Sequence, residues 1–304
     1  MIAKVFRKSR PINFIIIILL LMLSFTLLAA NAYQLGSDMG FLANFPLLLC
    51  SLLLTDFIAK KNDINKGDSF ALLFFLMFLW LIPDAFTETS MVASNFFVIL
   101  AFRRLVSIHS LLVPKQKIFD AALWIGVAAL FEFWALLFLI PLYVSIFLHI
   151  AGNIRNWLIP VVSFFTVSVL VFFYALAFDD YILEYVWKKA YISFNFQDFY
   201  FSPNDIAFIV VTLLLVLSQL LSYKFLLIKL QRAFKIILSF LLVTAVILVI
   251  SVEKNNTYLL YCFAPVSMLA SDFMKKLPKI WLKEGFITLL FLGSLAFFLL
   301  NNLL

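Results

Sequence analysis

The sequence predicts an all-α integral membrane protein with about eleven transmembrane segments. Hydrophobic residues make up 65% of the 304 residues and charged residues only 13%, whereas a soluble domain carries about a quarter charged residues. The apolar runs are long, and no stretch between them exceeds about thirty residues, which is too short to bury a core of its own. We therefore expect a single transmembrane domain over residues 1–304.

Continuous apolar runs indicate how the chain crosses the bilayer. In hydrocarbon every backbone N–H and C=O needs an internal partner, so a spanning segment is a helix or a strand of a closed barrel. The runs lack the period-two alternation of barrel strands, which favours helices. The first run is longer than the core of a signal peptide and is interpreted as an uncleaved helix. The predicted segments are 12–31, 41–58, 69–83, 91–105, 118–132, 135–150, 157–177, 206–222, 236–252, 257–271 and 286–303.

The fifth and sixth segments come from one nearly unbroken apolar run over residues 119–150. One helix would have excess length, and two would be short, because about fifteen residues rise about 22 Å against a hydrocarbon core of about 30 Å. The positive-inside rule favours two. With two helices and a cytoplasmic N-terminus, every Lys and Arg except Lys188, Lys189 and Lys254 falls on the cytoplasmic side. We therefore predict a short helical hairpin at 118–150 that turns near Glu132, and a C-terminus outside.

Several function classes are disfavoured by composition and motifs. The net charge of +7 does not indicate nucleic acid, because the basic residues lie in short loops between apolar runs, where they set topology. Cys50 and Cys262 lie inside apolar runs without a CxxC or CxxH partner, which argues against a disulfide or a zinc site. The sequence contains no GxxxxGK[ST], GxGxxG, GxSxG or HExxH motif, which weakens nucleotide-binding, serine-hydrolase and zinc-protease interpretations.

Carboxylates near the outer ends of the first six segments are the candidate catalytic groups. Glu132 has apolar residues on both sides for many positions, and ionisable groups at membrane depth are costly and therefore informative. Either the hairpin turn is shallow and buries Glu132, or the turn reaches water and Glu132 marks it. Asp38 or Glu132 would be a general base, and Asp84 and Glu88 would bind a divalent cation. The alternative is a set of solvated loop carboxylates.

The longest outer segment, residues 178–205, carries many aromatic residues among mixed charges. One interpretation is an amphipathic helix that lies in the membrane interface. The other is a lid over a site that receives an anionic lipid headgroup, with Lys188, Lys189 and Lys254 as contacts to phosphate.

Two further acids lie near predicted cytoplasmic helix ends. Asp56 is expected to pair with Lys60, because residues four apart are neighbours on one helix face. Asp120 follows two lysines at the predicted start of a helix, where the helix dipole favours an anion. We therefore expect Asp120 to cap that helix.

One stretch has a distinctive sequence, FDAALWIGVAALFEFWALLFLIPLYVSIFLH over residues 119–149. It follows Phe102-Arg103-Arg104 and precedes RNWLIP at residues 155–160. With these flanks the chain resembles an uncharacterised family of multipass proteins from Bacteroidetes-type bacteria. The resemblance would cover most of the chain. It implies a location in the bacterial inner membrane, with membrane lipids as partners, and it brings no known activity.

The layout also resembles polytopic glycosyltransferases that use polyprenyl-phosphate sugars. Those enzymes likewise have about eleven helices, a short helix pair in this region and acidic residues at the outer face. Here the first outer loop, residues 31–40, is short and carries only Asp38. The resemblance therefore implies a class, transfer of a sugar or similar group from a polyprenyl-phosphate lipid, and no residue roles. The alternatives are a non-catalytic subunit bound to other membrane proteins and a lipid or solute transporter.

Overall fold

The described part of the chain is mainly helical. The computed structural model describes residues 2–35, 39–64, 67–178, 190–194, 201–252 and 254–303, and no strand occurs among these residues. Among the described residues, a short helix, Ile2–Phe6, is followed by eleven helices of twelve residues or more. The all-α prediction is therefore confirmed. The eleven helices are α1 (Pro11–Leu35), α2 (Asn44–Lys61), α3 (Phe70–Leu81), α4 (Thr89–Ser107), α5 (Pro114–Phe131), α6 (Leu139–Ile150), α7 (Ile154–Phe178), α8 (Pro203–Ser222), α9 (Ile228–Ile250), α10 (Leu260–Lys276) and α11 (Ile280–Leu303).

Within the described part of the chain, eight helical stretches are long and apolar enough to cross a membrane. They contain α1, α2, α4, α6, α7, α8, α9 and α11, and α6 reaches the required length together with the 3-10 helix Phe133–Phe138 that precedes it. These helices identify a membrane protein. The predicted number of eleven crossings is not confirmed.

The three remaining helices differ from the eight in length or charge. Helix α3 has 12 residues, so it rises about 18 Å, and all of its side chains are buried inside the protein. Helix α5 carries Lys115, Lys117 and Asp120 in its first half. Helix α10 has 17 residues and ends in Lys275 and Lys276. Other helices of this protein therefore cover α3. In α5 and α10, charged residues shorten the stretch that is apolar enough to cross a membrane.

Contacts divide the chain into two compact units. The first comprises Met1–Val92, Phe201–Leu226 and Cys262–Leu304, and the second comprises Ala93–Tyr200 and Leu227–Tyr261. Each unit is assembled from separated parts of the sequence. The single transmembrane domain expected from the sequence stays a prediction.

The first unit is organised around α3, which packs against α1, α2, α8 and α11. Trp80 in α3 lies between two rings of α11, with centroids 5.3 Å from Phe291 and 6.4 Å from Phe298. Its indole Nε1–H donates to the Ser24 hydroxyl at 2.7 Å, so the one polar atom of this buried side chain is satisfied. Aromatic contact thus holds an all-apolar helix in the centre of the unit.

Polar contacts at one end of the first unit fix the directions of three helices. Lys275, near the end of α10, lies 3.2 Å from the Asp68 carboxylate just before α3. Gln219, near the end of α8, donates to Asp272 at 2.5 Å, and Lys276 lies 2.9 Å from the same carboxylate. The C-terminal ends of α8 and α10 therefore lie at the end of the unit where α3 begins.

The second unit contains the helix pair predicted at 118–150. Helix α5 packs along α7 at Gly126, where an added Cβ would lie 3.1 Å from the Val167 side chain. Ser145 in α6 donates to the Leu105 carbonyl at 3.0 Å, and Lys117 in α5 donates to the Ser107 carbonyl at 2.7 Å. Helix α6 therefore ends where α5 begins, so the two helices run antiparallel. That each of them crosses the membrane stays a prediction.

The predictions for Asp56 and Asp120 have different outcomes. Asp56 pairs with Lys60 at 2.5 Å, as predicted. The capping prediction for Asp120 is wrong, because α5 begins at Pro114 and places Asp120 in its second turn. There Asp120 pairs with Arg104 of α4 at 2.8 Å.

Candidate functional site

Glu132 occupies the interruption between the two helices of the hairpin. Helix α5 stops at Phe131, and Glu132 has an extended backbone with φ −141° and ψ 107°. The 3-10 helix Phe133–Phe138 then leads into α6. Only 3% of Glu132 is exposed. Of the two interpretations of this residue, the structure therefore favours the one in which the turn buries the carboxylate inside the protein.

A tyrosine from a distant part of the sequence contacts this carboxylate. The Tyr258 hydroxyl donates to Glu132 Oε1 at 2.8 Å, and the bond is buried. Tyr258 lies in the 3-10 helix Asn256–Leu259 that leads into α10. Acidic side chains are almost never fully buried unless they are paired, so the tyrosine accounts for part of the stability of Glu132 at this position.

A second set of hydrogen bonds holds the backbone that carries Glu132. The Ala128 carbonyl accepts from the Glu132 amide at 3.0 Å and from the Ser94 hydroxyl at 3.0 Å. The Ser94 and Tyr261 hydroxyl oxygens are 2.7 Å apart. Since the single hydroxyl hydrogen of Ser94 points to Ala128, Tyr261 is the donor in that pair. The bonds from Tyr261 to Ser94 to Ala128, with the bond from Tyr258 to Glu132, form what we call the Glu132 network.

Aromatic side chains surround the network. The Phe138 ring lies 4.9 Å from Tyr261 and 4.9 Å from Phe240, and Phe102 packs against Phe240 at 4.7 Å. These ring contacts connect the 3-10 helix Phe133–Phe138 with α4, α9 and the start of α10 in one aromatic cluster. Hydrogen bonds are electrostatically stronger in such a low-dielectric setting, and unpaired polar groups are more costly there.

Three other buried polar side chains lie next to members of the network in the sequence. Asn95 and Thr257 have 0% exposure and Trp134 has 7%. The Asn95 amide, the Trp134 indole nitrogen and the Thr257 hydroxyl form no hydrogen bond with any residue that the structure describes. A buried polar atom without a partner costs about 1–3 kcal/mol. Buried polar atoms without a partner also occur elsewhere among the described residues, for example at Asn44 and Thr212.

Lys254, a predicted phosphate contact, lies four residues before Tyr258. Its ammonium donates to the Ser193 carbonyl at 2.8 Å and to the Val249 carbonyl. Partial burial lowers the pKa of Lys254, because leaving water disfavours the charged form. Lys254 therefore bonds both to the segment 190–194 and to the end of α9. Its contact with phosphate stays a prediction.

The predicted metal ligands Asp84 and Glu88 lie before α4, within the first unit. Neighbouring protein partly shields the Asp84 carboxyl from water, which raises its pKa. The negative charge of Asp205 raises the pKa of Asp84 further. Among the described residues, no three His, Cys, Asp or Glu side chains come close enough to hold a metal ion. Asp38, Lys188 and Lys189 lie outside the described residues, as does most of segment 178–205. The roles predicted for these residues, and the divalent cation, stay predictions.

Sequence reasoning identified Glu132 but missed the hydroxyl residues of the Glu132 network. Tyr258, Ser94 and Tyr261 lie in apolar segments, where tyrosine and serine are ordinary residues. One signal was present: Tyr258 and Tyr261 are three residues apart, a spacing that places side chains on one helix face. That spacing marks a polar stripe and does not identify what the stripe contacts.

The chain has no match among protein-family models, curated proteins or solved structures. The resemblances to a Bacteroidetes-type family and to polyprenyl-phosphate-dependent glycosyltransferases therefore stay predictions. The case for a function depends on the residues and contacts described above.

Replacing Tyr258 by phenylalanine is expected to lower the free energy of unfolding by about 1–3 kcal/mol, because the buried Glu132 carboxylate loses a hydrogen-bond donor. The melting temperature of the purified protein in detergent measures this change. Tyr191→Phe is the matched control, since Tyr191 is 67% exposed. Equal melting temperatures for the two variants would contradict a stabilising role for the bond.

Proposed function

We propose that this protein transfers a sugar or similar group from a polyprenyl-phosphate carrier at the outer face of the bacterial inner membrane, with Glu132 as the general base. The observation that supports this most is the buried Glu132 carboxylate, held by Tyr258 at a break in an apolar helix pair. An ionisable residue at membrane depth is a functional-site hypothesis by default.

The proposed step uses one base and two reactants, the lipid-linked sugar and an acceptor hydroxyl group. The acceptor hydroxyl oxygen forms a bond to the anomeric carbon of the sugar, and its proton passes to the Glu132 carboxylate. The bond between that carbon and the phosphate oxygen breaks, and polyprenyl phosphate leaves with the electron pair. A positioned carboxylate contributes about 10²- to 10⁴-fold to such a reaction. Tyr258 orients the carboxylate through its 2.8 Å bond.

A lipid-linked donor suits the composition of the protein and the loop beside Glu132. In the described part of the chain, eight apolar helices provide a surface along which a polyprenyl chain would lie. Lys254 and Tyr258 belong to the same connection, between α9 and α10. A lysine in that connection is suited to a phosphate at the headgroup level, while Tyr258 contacts the base. Asp38, Lys188 and Lys189 would complete the site in this proposal.

Lipid retention tests the class of ligand. The full-length protein, purified in mild detergent, would be incubated with a polyprenyl-phosphate hexose and examined by native mass spectrometry. We expect a mass increase equal to one carrier, because carrier binding at Glu132 is required for transfer. A dialkyl phosphatidylglycerol of similar charge is the control and is expected to be lost at lower activation energy. Equal retention of the two lipids would count against the proposal.

A transporter is the second candidate, and the interrupted hairpin favours it. Broken helices and intramembrane carboxylates mark the substrate sites of many transporters. The break from Glu132 through the 3-10 helix Phe133–Phe138 has both features. In this alternative Glu132 would carry a proton during transport. Translocation of a labelled carrier across proteoliposomes, without loss of its sugar, would support the transporter over the enzyme.

A further inference from the structure

The N-terminal segment, residues 2–10, folds back onto the first unit. The backbone amide of Ala3 donates to the Glu284 carboxylate, in the second turn of α11, at 3.1 Å. The ammonium of Lys60, at the end of α2, donates to the Ser9 hydroxyl at 2.7 Å. These contacts place the segment beside the start of α11 and the end of α2.

Three helical stretches that are long and apolar enough to cross a membrane have an end at this place. Pro11–Gln34 and Ile280–Asn301 begin here, and Gly40–Lys61 ends here. A crossing helix extends from one bilayer surface to the other, so its ends lie at the level of the lipid headgroups. We call the exposed basic residues at these ends, together with those of the N-terminal segment, the basic end of the first unit. They are Lys4, Arg7, Lys8, Arg10, Lys61 and Lys279.

The basic end has an excess of positive charge. Two neighbouring acids are buried and paired within the protein: Asp56 with Lys60, and Asp68 with Lys275 at 3.2 Å. Asp63 is an exposed acid at the end of α2. Among the residues that the structure describes, none of the six cations forms a salt bridge. Their charges are therefore accessible to an anion from outside the protein.

Exposed apolar side chains adjoin these cations. Ile12 and Ile15 in α1, and Ile280 and Trp281 in α11, are each more than half exposed, and the two helices contact each other. Tryptophan is enriched at the membrane–water interface, where its ring lies at the headgroup level. Cations beside exposed apolar side chains suit an anion that also carries hydrocarbon, whereas a free phosphate would use only the cations.

We propose that the basic end of the first unit binds an anionic phospholipid. The headgroup phosphate lies among the six cations, and the acyl chains lie along the exposed side chains of α1 and α11. Lysine and arginine near a membrane surface attract anionic lipids, and arginine can hold a phosphate with two parallel N–H donors. The inference goes beyond the proposed function, because it concerns the first unit and does not involve Glu132.

Competition between two phospholipids tests this surface. The full-length protein in mild detergent would be incubated with equal amounts of phosphatidylglycerol and phosphatidylcholine that carry the same acyl chains, and native mass spectrometry would give the bound fraction of each. We expect wild type to prefer phosphatidylglycerol about tenfold, because only this lipid has a net negative charge. The triple variant Arg7→Gln/Lys8→Gln/Arg10→Gln is expected to lower the preference to about twofold or less. Lys61→Gln/Lys279→Gln leaves the N-terminal segment intact and should lower it at least about threefold.

Arg155→Gln/Arg232→Gln/Lys235→Gln is the matched control. It removes two arginines and one lysine from exposed positions of the second unit, so it changes the net charge as much as the first triple variant and should keep the wild-type preference. Arg7→Lys/Arg10→Lys keeps the charge and should also keep the preference. Equal retention of the two lipids by wild type, or the same preference in both triple variants, would overturn the proposal and leave the proposed function untouched.

Discussion

Glu132→Gln is expected to lower the rate of sugar transfer by about 10²- to 10⁴-fold, the contribution of a positioned general base. Glutamine has nearly the same shape as glutamate and can still accept the hydrogen bond from Tyr258, so the fold and the carrier site should persist. The amide cannot take a proton from the acceptor hydroxyl at neutral pH. Conversion of bound polyprenyl-phosphate hexose to the sugar-free carrier, followed over time by mass spectrometry, measures the rate.

Two variants separate the chemical role of Glu132 from a structural one. Asp120→Asn removes an acid of the same unit that pairs with Arg104 and should leave the rate within about twofold of wild type, because it contributes no base. Tyr258→Phe keeps the base but loses its orienting bond, so its rate should fall less than that of Glu132→Gln. A Glu132→Gln rate within about threefold of wild type would exclude the carboxylate as the base.

Single cysteines at Ser193 and Ser222 are expected to react on opposite sides of the membrane. The background would carry Cys50→Ala and Cys262→Ala, and spheroplasts would be treated with an impermeant thiol reagent. We expect labelling at position 193 and none at position 222. The Ser193 carbonyl accepts from Lys254 and its amide donates to the Ile250 carbonyl, and the substitution keeps both of these backbone groups. After lysis both positions should react, which controls for accessibility.

The structure supplies a physical reason for this topology. Lys276 contacts Ser222 at 2.8 Å, and Lys275 pairs with Asp68 before α3. Helix α8 therefore ends at the end of the first unit where α3 begins. If α4 to α7 each cross the membrane, four crossings separate α3 from α8 and give this arrangement. Labelling at 222 alone would show that residues 119–150 cross once and would place Glu132 away from the outer face.

The helices themselves could be predicted from the sequence, because each apolar run must satisfy its backbone within the segment. Their ends were less predictable. Helix α8 begins at Pro203 and not at residue 206, because Ser202 and Asp205 form reciprocal hydrogen bonds around its first turn. Helix α9 begins at Ile228 and not at residue 236, with basic residues in its first two turns. Polar residues next to an apolar run are compatible with either loop or helix until capping and packing are known.

An all-α membrane protein, a turn near Glu132 and the importance of this acid could be predicted from the amino-acid sequence. Hydrophobicity and charge distribution are local properties, so they can be read along the chain. The burial of Glu132 and the hydrogen bond from Tyr258, 126 residues further on, depend on the packing of the helices. The same is true of the bonds from Tyr261 to Ser94 and from Ser94 to the Ala128 carbonyl, which also accepts from the Glu132 amide. Such contacts arise when helices from distant parts of the chain pack together, and a hydroxyl in an apolar run does not reveal its partner.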